Sequence, residues 1–170
     1  MIHKRMMVVY PLDTGLFGTG VWLGRRIKKG GMGYGLWNGF GGHIEVNETP
    51  EQAAVRELEE ESRVKALKLA RCGLTWNVHL DKGIIVELYF FLCHTFTGKF
   101  KPTKEMLPQR FPINQLPLLE MWESDSLVLP QILSGQSYTA TFLLRENRMV
   151  GSFVQPVASL SELILKPIHR

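Results

Sequence analysis

The sequence GGHIEVNETPEQAAVRELEEESRV, residues 41–64, decides the fold of this 170-residue chain. It opens on two glycines and passes into a stretch rich in Ala, Glu, Leu and Arg, which are good helix formers. Thr49 is placed to be the N-cap, Pro50 suits the first helical position, and Gln52 completes a capping box. No glycine or proline follows until Gly73, so the sequence predicts a helix that begins after Thr49.

Acidic residues are concentrated in this stretch although the chain is net basic. Seven of the 16 acids lie between Glu45 and Glu61, whereas the formal net charge is +4. Helical geometry places Glu57, Glu60 and Glu61 within an arc of about 100°, while Glu59 points elsewhere. Three converging carboxylates make a hard oxygen site that suits Mg²⁺ or Mn²⁺, completed by water and substrate phosphates. The alternative interpretation is an ordinary solvated helix face.

The order of residues in this stretch resembles the Nudix box, G-x5-E-x7-R-E-U-x-E-E-x-G-U, in which U is aliphatic. Gly42, Glu48 and the run from Arg56 to Glu61 supply six of its seven fixed residues, and both aliphatic places are filled. Arg63 stands where the family has a glycine that helps the chain leave the helix. The resemblance implies an α+β fold, with a mixed β-sheet between α-helices, and hydrolysis assisted by a divalent metal.

Three further segments resemble one group within that family, the animal MutT homologues that hydrolyse oxidised purine nucleoside triphosphates. They are residues 35–42 (GLWNGFGG), 104–108 (KEMLP) and 119–126 (LEMWESDS). The resemblance implies Mg²⁺-dependent cleavage of nucleotides such as 8-oxo-dGTP to the monophosphate and pyrophosphate. Two alternatives remain open: a Nudix hydrolase of another nucleoside diphosphate-X substrate, and a Nudix domain that binds a nucleotide without hydrolysing it.

The same resemblance implies roles for residues around the predicted helix. The implied metal ligands are the carbonyl of Gly41 and the side chains of Glu57, Glu60, Glu61 and Glu105. Arg56 is implied to orient a box glutamate through a charge-assisted bond. Family members differ in their general base, so Glu57, Glu61 and Glu105 are all candidates. Taken alone, Glu105 also fits an ordinary loop acid.

Candidates for substrate binding lie outside the box. Lys28, in the basic cluster Arg25-Arg26-Ile27-Lys28-Lys29, matches a lysine that lines the family's substrate site, and the other three cations also fit a solvated loop. Purine-binding residues of the family are matched by an amide, an indole and a carboxyl group: Asn38, Trp122 and Asp125. Ser124 replaces the first of two adjacent aspartates. Asn77 and His79 stand roughly where the family has phenylalanines, which makes the predicted pocket more polar; Trp122 and His79 also fit purely structural roles.

Composition predicts one domain, residues 1–156, followed by a tail, residues 157–170. A hydrophobic content of 45% is enough to build a core. We expect a cytoplasmic monomer without nucleic-acid or membrane partners, because the chain has no secretory signal, apolar span or nucleic-acid-binding motif. Cys72 and Cys93 fit free, buried thiols.

Patterning along the rest of the chain predicts six strands and a second helix. The predicted strands are Met6–Tyr10, Gly20–Leu23, Leu67–Leu80, Ile84–Phe96, Tyr138–Leu144 and Met149–Val154, the last two joined as a hairpin. The second helix is predicted at Asp125–Leu133, opened by Ser124 or Asp125 and bent at Pro130.

Overall fold

A computed structural model describes residues 1–16, 18–30 and 32–158 of the chain. The elements in chain order are β1 (Ile2–Gly15), β2 (Gly18–Arg26), β3 (Trp37–Asn38), β4 (Phe40–His43), α1 (Pro50–Ser62), β5 (Val64–His79), β6 (Ile84–Gly98), β7 (Met106–Pro112), α2 (Asp125–Leu133), β8 (Ser137–Arg145) and β9 (Arg148–Val157). Most of the predicted tail, from residue 159 onward, lies outside the described residues. None of the described helices is long and apolar enough to cross a membrane.

The strands form one mixed sheet in the order β3-β2-β1-β6-β5-β8-β9. β1 runs parallel to β6, and β5 runs parallel to β8. The remaining neighbours in this order are antiparallel. β4 also pairs with β1, and β7 pairs with β2. The prediction of a mixed sheet is therefore confirmed.

The two helices cover opposite faces of this sheet. Val8 and Tyr10 of β1 lie in the hydrophobic core that contains the buried residues of α2. Met7 and Val9, the intervening residues, lie in a second core with the buried face of α1. Successive side chains of a strand point to opposite faces, so one strand contributes to both cores. The predicted arrangement of a sheet between helices is confirmed.

Helix α1 begins as its capping residues predict. The Thr49 hydroxyl accepts a hydrogen bond from the Gln52 N–H at 3.1 Å, and the Gln52 side chain accepts one from the Thr49 N–H at 2.8 Å. Helix α2 has the predicted bounds, Asp125–Leu133, although the Ser124 side chain makes no capping hydrogen bond. Local signals therefore identify both helices.

The predicted strands are all present, and each is longer in the structure than its pattern indicates. β3, β4 and β7 were not predicted, because β3 has two residues, β4 contains two glycines and β7 contains two prolines. The predicted hairpin of β8 and β9 turns through Glu146 and Asn147, whose φ angles are 52° and 63°. Cys72 and Cys93 are both buried and free.

Arg63 replaces the family's glycine without losing the exit from α1. It adopts a left-handed conformation, with φ 67° and ψ 16°, and its N–H donates to the Glu59 carbonyl at 2.9 Å. Glycine takes this conformation without a steric cost, whereas a residue with a Cβ atom is strained in it. The helix therefore ends where the family pattern requires, with strain at Arg63.

Replacing Arg63 with glycine should raise the free energy of unfolding by about 0.5–1 kcal/mol. The relief of left-handed strain, about 1–2 kcal/mol, exceeds the extra backbone entropy that glycine gives the unfolded chain. Urea unfolding of the purified proteins measures this difference. Arg63→Ala is the control: it also removes the guanidinium but keeps the Cβ atom, so it should bring no such gain. A less stable Arg63→Gly protein would contradict the assignment of strain.

Candidate active site

Arg56 of α1 is the centre of an ionic network. Its Nε and Nη2 atoms bind the two carboxylate oxygens of Glu48, each at 2.9 Å. Its Nη1 atom lies 2.8 Å from Glu57 and 3.4 Å from Glu60, and Nη2 donates to the carbonyl of His43 at 3.1 Å. Arg56 therefore holds Glu57 and ties α1 to the end of β4. These contacts agree with its predicted orienting role.

Two glycines of β4 let the chain approach these acids closely. A Cβ atom at Gly42 would lie 2.3 Å from the Glu57 Oε1 atom, so a larger residue there would displace that carboxylate. A Cβ atom at Gly41 would lie 2.1 Å from the carbonyl oxygen of Met7. The Gly41 N–H donates to Glu61 at 2.8 Å, which anchors Glu61 beneath the helix. β4 and α1 thus position Glu57 and Glu61 together.

Two acids of this site, Glu61 and Glu57, have pKa values that burial raises. Burial raises the pKa of Glu61 to about 8, and the charges of Glu57 and Glu105 add to the shift, while the Gly41 N–H and the charge of Arg26 oppose it. Burial also raises the pKa of Glu57, against the effect of its bond to Arg56. A bound cation is the group that most readily keeps the Glu57 and Glu61 carboxylates ionised at the same time.

The three box glutamates do not converge as the helical arc predicts. Arg56 draws the Glu60 side chain to the outside, where it is 61% exposed, whereas Glu61 points inward. Glu105 is bound to Lys28 at 2.7 Å. Among the described residues, no group of three His, Cys, Asp or Glu side chains is positioned to hold a metal ion. The donor chemistry of Glu57 and Glu61, close hard oxygens with raised pKa values, still fits a divalent cation.

A cavity of about 230 Å³ lies between the α2 face of the sheet and the segment that leads into α2. Apolar side chains of β1 and β6, such as Val8 and Leu88, contribute to its lining. All six predicted base-pocket residues line it: Asn38, Asn77, His79, Trp122, Ser124 and Asp125. The structure therefore brings together residues that are far apart in sequence. Trp122 packs close to Gly33, where a Cβ atom would lie 3.0 Å from its ring.

Polar groups at one end of the cavity have a defined orientation. The Asn38 Oδ1 atom accepts hydrogen bonds from the Gly39 N–H at 2.8 Å and from the Tyr10 hydroxyl at 3.4 Å. The Asn38 amide nitrogen is therefore the group left to meet a ligand. Asp125 is 5% exposed, and burial raises the pKa of its carboxyl to about 7. Its Oδ2 atom has no hydrogen-bond partner within the described part of the chain.

The structure places the basic cluster differently from the sequence-based expectation. Lys28 is held by Glu105 and is not among the residues that line the cavity. Arg26, the last residue of β2, lines the cavity together with Gly41, and its charge lowers the pKa of Glu61. Sequence reasoning found this cluster but did not single out Arg26. If the end of β2 had been recognised, the alternation of its side chains would have shown that Arg26 points inward.

Asn147 and Met149 also line the cavity from the β8–β9 hairpin. No motif marks either residue, so sequence reasoning missed both. Only the parallel pairing of β5 with β8 brings this hairpin beside His79, whose partner in β8 is Leu144.

Comparisons with known proteins agree with this geometry. The family model described as "NUDIX domain" matches residues 1–132. The chain is 35% identical over 124 residues to the oxidized purine nucleoside triphosphate hydrolase of Danio rerio, covering 73% of this chain and 80% of that protein. It is 31% identical over 127 residues to the Mus musculus protein of the same name, covering 75% and 81%. A crystal structure of a MutT protein from Bacillus halodurans superposes with a TM-score of 0.76 at 20% identity, covering 89% of this chain and 97% of that one.

Proposed function

The chain belongs to the Nudix family of hydrolases, and we propose that it is a Mg²⁺-dependent pyrophosphohydrolase of oxidised purine nucleoside triphosphates. Its products from 8-oxo-dGTP would be the monophosphate and pyrophosphate, which removes the damaged nucleotide from the pool. The observation that carries the proposal is the continuity of the site. Arg26 and Gly41 both line the base-sized cavity; the Gly41 N–H also bonds to Glu61, and the charge of Arg26 acts on Glu61, so base and phosphates can be held at once.

The acidic end would hold the phosphates and the metal. A divalent cation there would neutralise phosphate oxygens and lower the pKa of a bound water. Glu57 and Glu61 would hold that cation, with Arg56 fixing one carboxylate and the Gly41 N–H fixing the other. Glu60 and the Gly41 carbonyl are further candidate ligands. Glu105 could join the site on release from Lys28. Glu57, Glu61 and Glu105 all remain candidates for the general base.

The cavity would hold the base. Apolar floor residues cover the faces of a purine, and Trp122 offers an indole for stacking. Asn38 presents amide N–H groups, so it suits an acceptor atom of the base. A protonated Asp125 can donate as well as accept, which lets it pair with a base edge. Ser124 adds a hydroxyl beside it.

The two animal relatives support the choice of substrate. Both are named as hydrolases of oxidized purine nucleoside triphosphates, and each is matched over about three quarters of this chain. A small-molecule nucleotide substrate agrees with the size of the cavity. The expected cytoplasmic monomer, with one domain over residues 1–156, remains a prediction.

Release of pyrophosphate from 8-oxo-dGTP, with Mg²⁺ and with a chelator, tests the proposal. We expect release with Mg²⁺ and its loss on chelation, followed by restoration when excess Mg²⁺ is added. Release from nucleoside diphosphate sugars instead would favour another Nudix substrate class. A protein that binds nucleotides but hydrolyses none would favour a non-catalytic domain. Glu60→Gln, assayed in parallel, measures how far Glu60 contributes to hydrolysis. Unchanged pyrophosphate release by this variant would remove Glu60 from the proposed metal ligands.

Arg26 should matter more than Lys28 for binding the triphosphate. We expect Arg26→Gln to raise KM about tenfold or more, because it removes the cation that lines the cavity beside Glu61. Lys28→Gln is the matched control, since it removes a neighbouring cation that is engaged by Glu105, and its KM should change less than about threefold. The reverse order of effects would assign phosphate binding to Lys28.

A further inference from the structure

One wall of the cavity carries two polar side chains, Asn77 and His79, to which the proposed reaction gives no role. We propose that Asn77 and His79 form a second hydrogen-bonding end of the base cavity, which recognises the oxidised imidazole-ring edge of an 8-oxopurine. This inference rests on the proposed function and specifies the base that the site selects. His79 is treated as a specificity-determining residue, and Asn77 as its partner.

The geometry places both residues on one wall. They are two positions apart on β5, so their side chains share a face of the sheet, and both line the cavity. In register, Asn77 lies opposite Val86 of β6, another residue of the lining. The floor between the two polar ends is apolar, with Val86 and Leu88 on β6. Asn77 and His79 are therefore polar side chains that face an apolar stretch of the lining on the neighbouring strand.

The burial of His79 gives the second observation. The side chain is 9% exposed, and its Nδ1 atom has no hydrogen-bond partner among the residues that the structure describes. A buried polar atom without a partner is unfavourable, and native proteins retain few of them. The neighbouring turn does not supply that partner: Lys82 bonds to the His79 carbonyl through its backbone N–H, not to the ring. The protein itself therefore leaves a ring nitrogen of this cavity-lining residue unsatisfied.

The protonation state of His79 defines what it can bind. Burial lowers the pKa of the ring, and the charges of Lys82 and Lys4 lower it further, against the opposing charge of Asp81. The ring is therefore neutral near pH 7 and offers one donor and one acceptor. The Asn77 amide offers both kinds of group as well. Together they can satisfy a ligand edge that carries a donor next to an acceptor.

The imidazole-ring edge of an 8-oxopurine has this pattern. Oxidation places a carbonyl oxygen at C8 and a hydrogen on N7, so the edge presents an acceptor beside a donor. An unoxidised purine presents the N7 lone pair and a C–H group. The His79 ring can accept from N7–H while the Asn77 amide donates to the C8 oxygen. An unoxidised base would leave part of this pair unsatisfied, which penalises its binding. The opposite, pyrimidine-ring edge would then meet Asn38 and Asp125.

Binding of the product monophosphates tests the inference without the metal or the leaving group. We expect 8-oxo-dGMP to bind the wild-type protein at least about tenfold more tightly than dGMP in titration calorimetry. Asn77→Leu and His79→Phe should each reduce this preference, the ratio of the two dissociation constants, about tenfold. His79→Gln, which keeps a hydrogen-bonding amide, should retain part of the preference. Either truncated variant is decisive, so the failure of one to fold leaves the other.

Two controls separate this role from a structural one. Thr75→Val removes a fully buried hydroxyl from the same strand, outside the cavity lining, and should leave the preference unchanged. 2-Hydroxy-dAMP is oxidised on the pyrimidine ring of the base. Any preference of the wild-type protein for 2-hydroxy-dAMP over dAMP should therefore survive His79→Phe. An unchanged 8-oxo preference in either Asn77→Leu or His79→Phe, or no preference in the wild type, would overturn the inference. Failure of the proposed function would appear separately, as absence of pyrophosphate release from every nucleoside triphosphate by the wild type.

Discussion

Replacing Glu57 with glutamine should lower kcat for pyrophosphate release by about 10³-fold, on the order of 4 kcal/mol of activation free energy. The amide has nearly the same size, so the space above Gly42 stays filled. It carries no charge, however, and cannot hold a cation as the carboxylate does. It also weakens the bond from Arg56, which fixes the direction of this side chain. Steady-state kinetics with saturating Mg²⁺ and 8-oxo-dGTP measure the effect.

The matched control for this change is Glu59→Gln. Glu59 lies on the same helix and is exposed, and it forms none of the ion pairs of the Arg56 network. Its replacement removes the same charge from α1 and should change kcat less than about twofold. If Glu57→Gln kept more than a tenth of the wild-type kcat, Glu57 would be removed from the proposed metal site. Glu61 would then become the principal candidate.

Replacing Asp125 with asparagine should have opposite effects on activity and stability. We expect kcat/KM for 8-oxo-dGTP to fall about 10²-fold, because the amide cannot supply both the carboxylate and the protonated form of the acid to the base. The same replacement removes a buried ionisable group with an unpartnered oxygen from the substrate-free protein. The variant should therefore be more stable than the wild type above neutral pH.

The sign of the pH effect follows from the raised pKa of Asp125. In the unfolded chain this carboxyl ionises near its ordinary pKa, about 4, whereas in the folded protein it ionises at about 7. Between these values the folded protein holds more protons, so wild-type stability falls as pH rises. Above about pH 7 both states are ionised and the loss is complete. The stability advantage of Asp125→Asn should therefore grow by about 4 kcal/mol between pH 4 and pH 8.

Urea unfolding of both proteins at several pH values tests this prediction. Glu61 also titrates with a raised pKa, but it affects the stability of both proteins alike. The difference between their free energies of unfolding therefore reports on Asp125. A difference that stays constant from pH 4 to pH 8 would show that Asp125 is not buried in its acidic form. A pH-dependent difference with unchanged kcat/KM would instead place Asp125 outside base recognition.

The helices are the part of this fold that could be predicted from sequence, because their bounds depend on residues close together in the chain. The start of α1 depends on Thr49 and Gln52, which are three residues apart, and the bounds of α2 follow similar local signals. β3, β4 and β7 were missed because their pairing with distant strands outweighs weak local propensity. β7, for example, contains two prolines and is stabilised by its register with β2.

In the site, the directions of single side chains could not be predicted from sequence either. Helical spacing gives the direction of a Cα–Cβ bond, so it predicts that Glu57, Glu60 and Glu61 share an arc. It does not show that Arg56 draws Glu60 outward or that the Gly41 N–H holds Glu61 inside. Those contacts depend on β4, which lies beside α1 only in the folded chain.

Family resemblance predicted the base cavity better than pattern alone could. Its six residues come from β3, β5, the segment before α2 and the first residue of α2, yet the structure gathers all of them. The choice of Lys28 over Arg26 failed to anticipate the cavity lining, because the decision depends on where β2 ends and which face its last residue takes. The proposed specificity of this chain rests on its departures from the family at Asn77 and His79.

Hydrolysis of 8-oxo-dGTP and dGTP by the wild-type protein in Mg²⁺, with all products resolved by chromatography, tests the central claim most directly. We predict 8-oxo-dGMP and pyrophosphate as the products, with kcat/KM for 8-oxo-dGTP at least about tenfold above that for dGTP. Formation of orthophosphate and the nucleoside diphosphate would contradict the proposed reaction, and equal kcat/KM for the two nucleotides would contradict a role in removing oxidised purines.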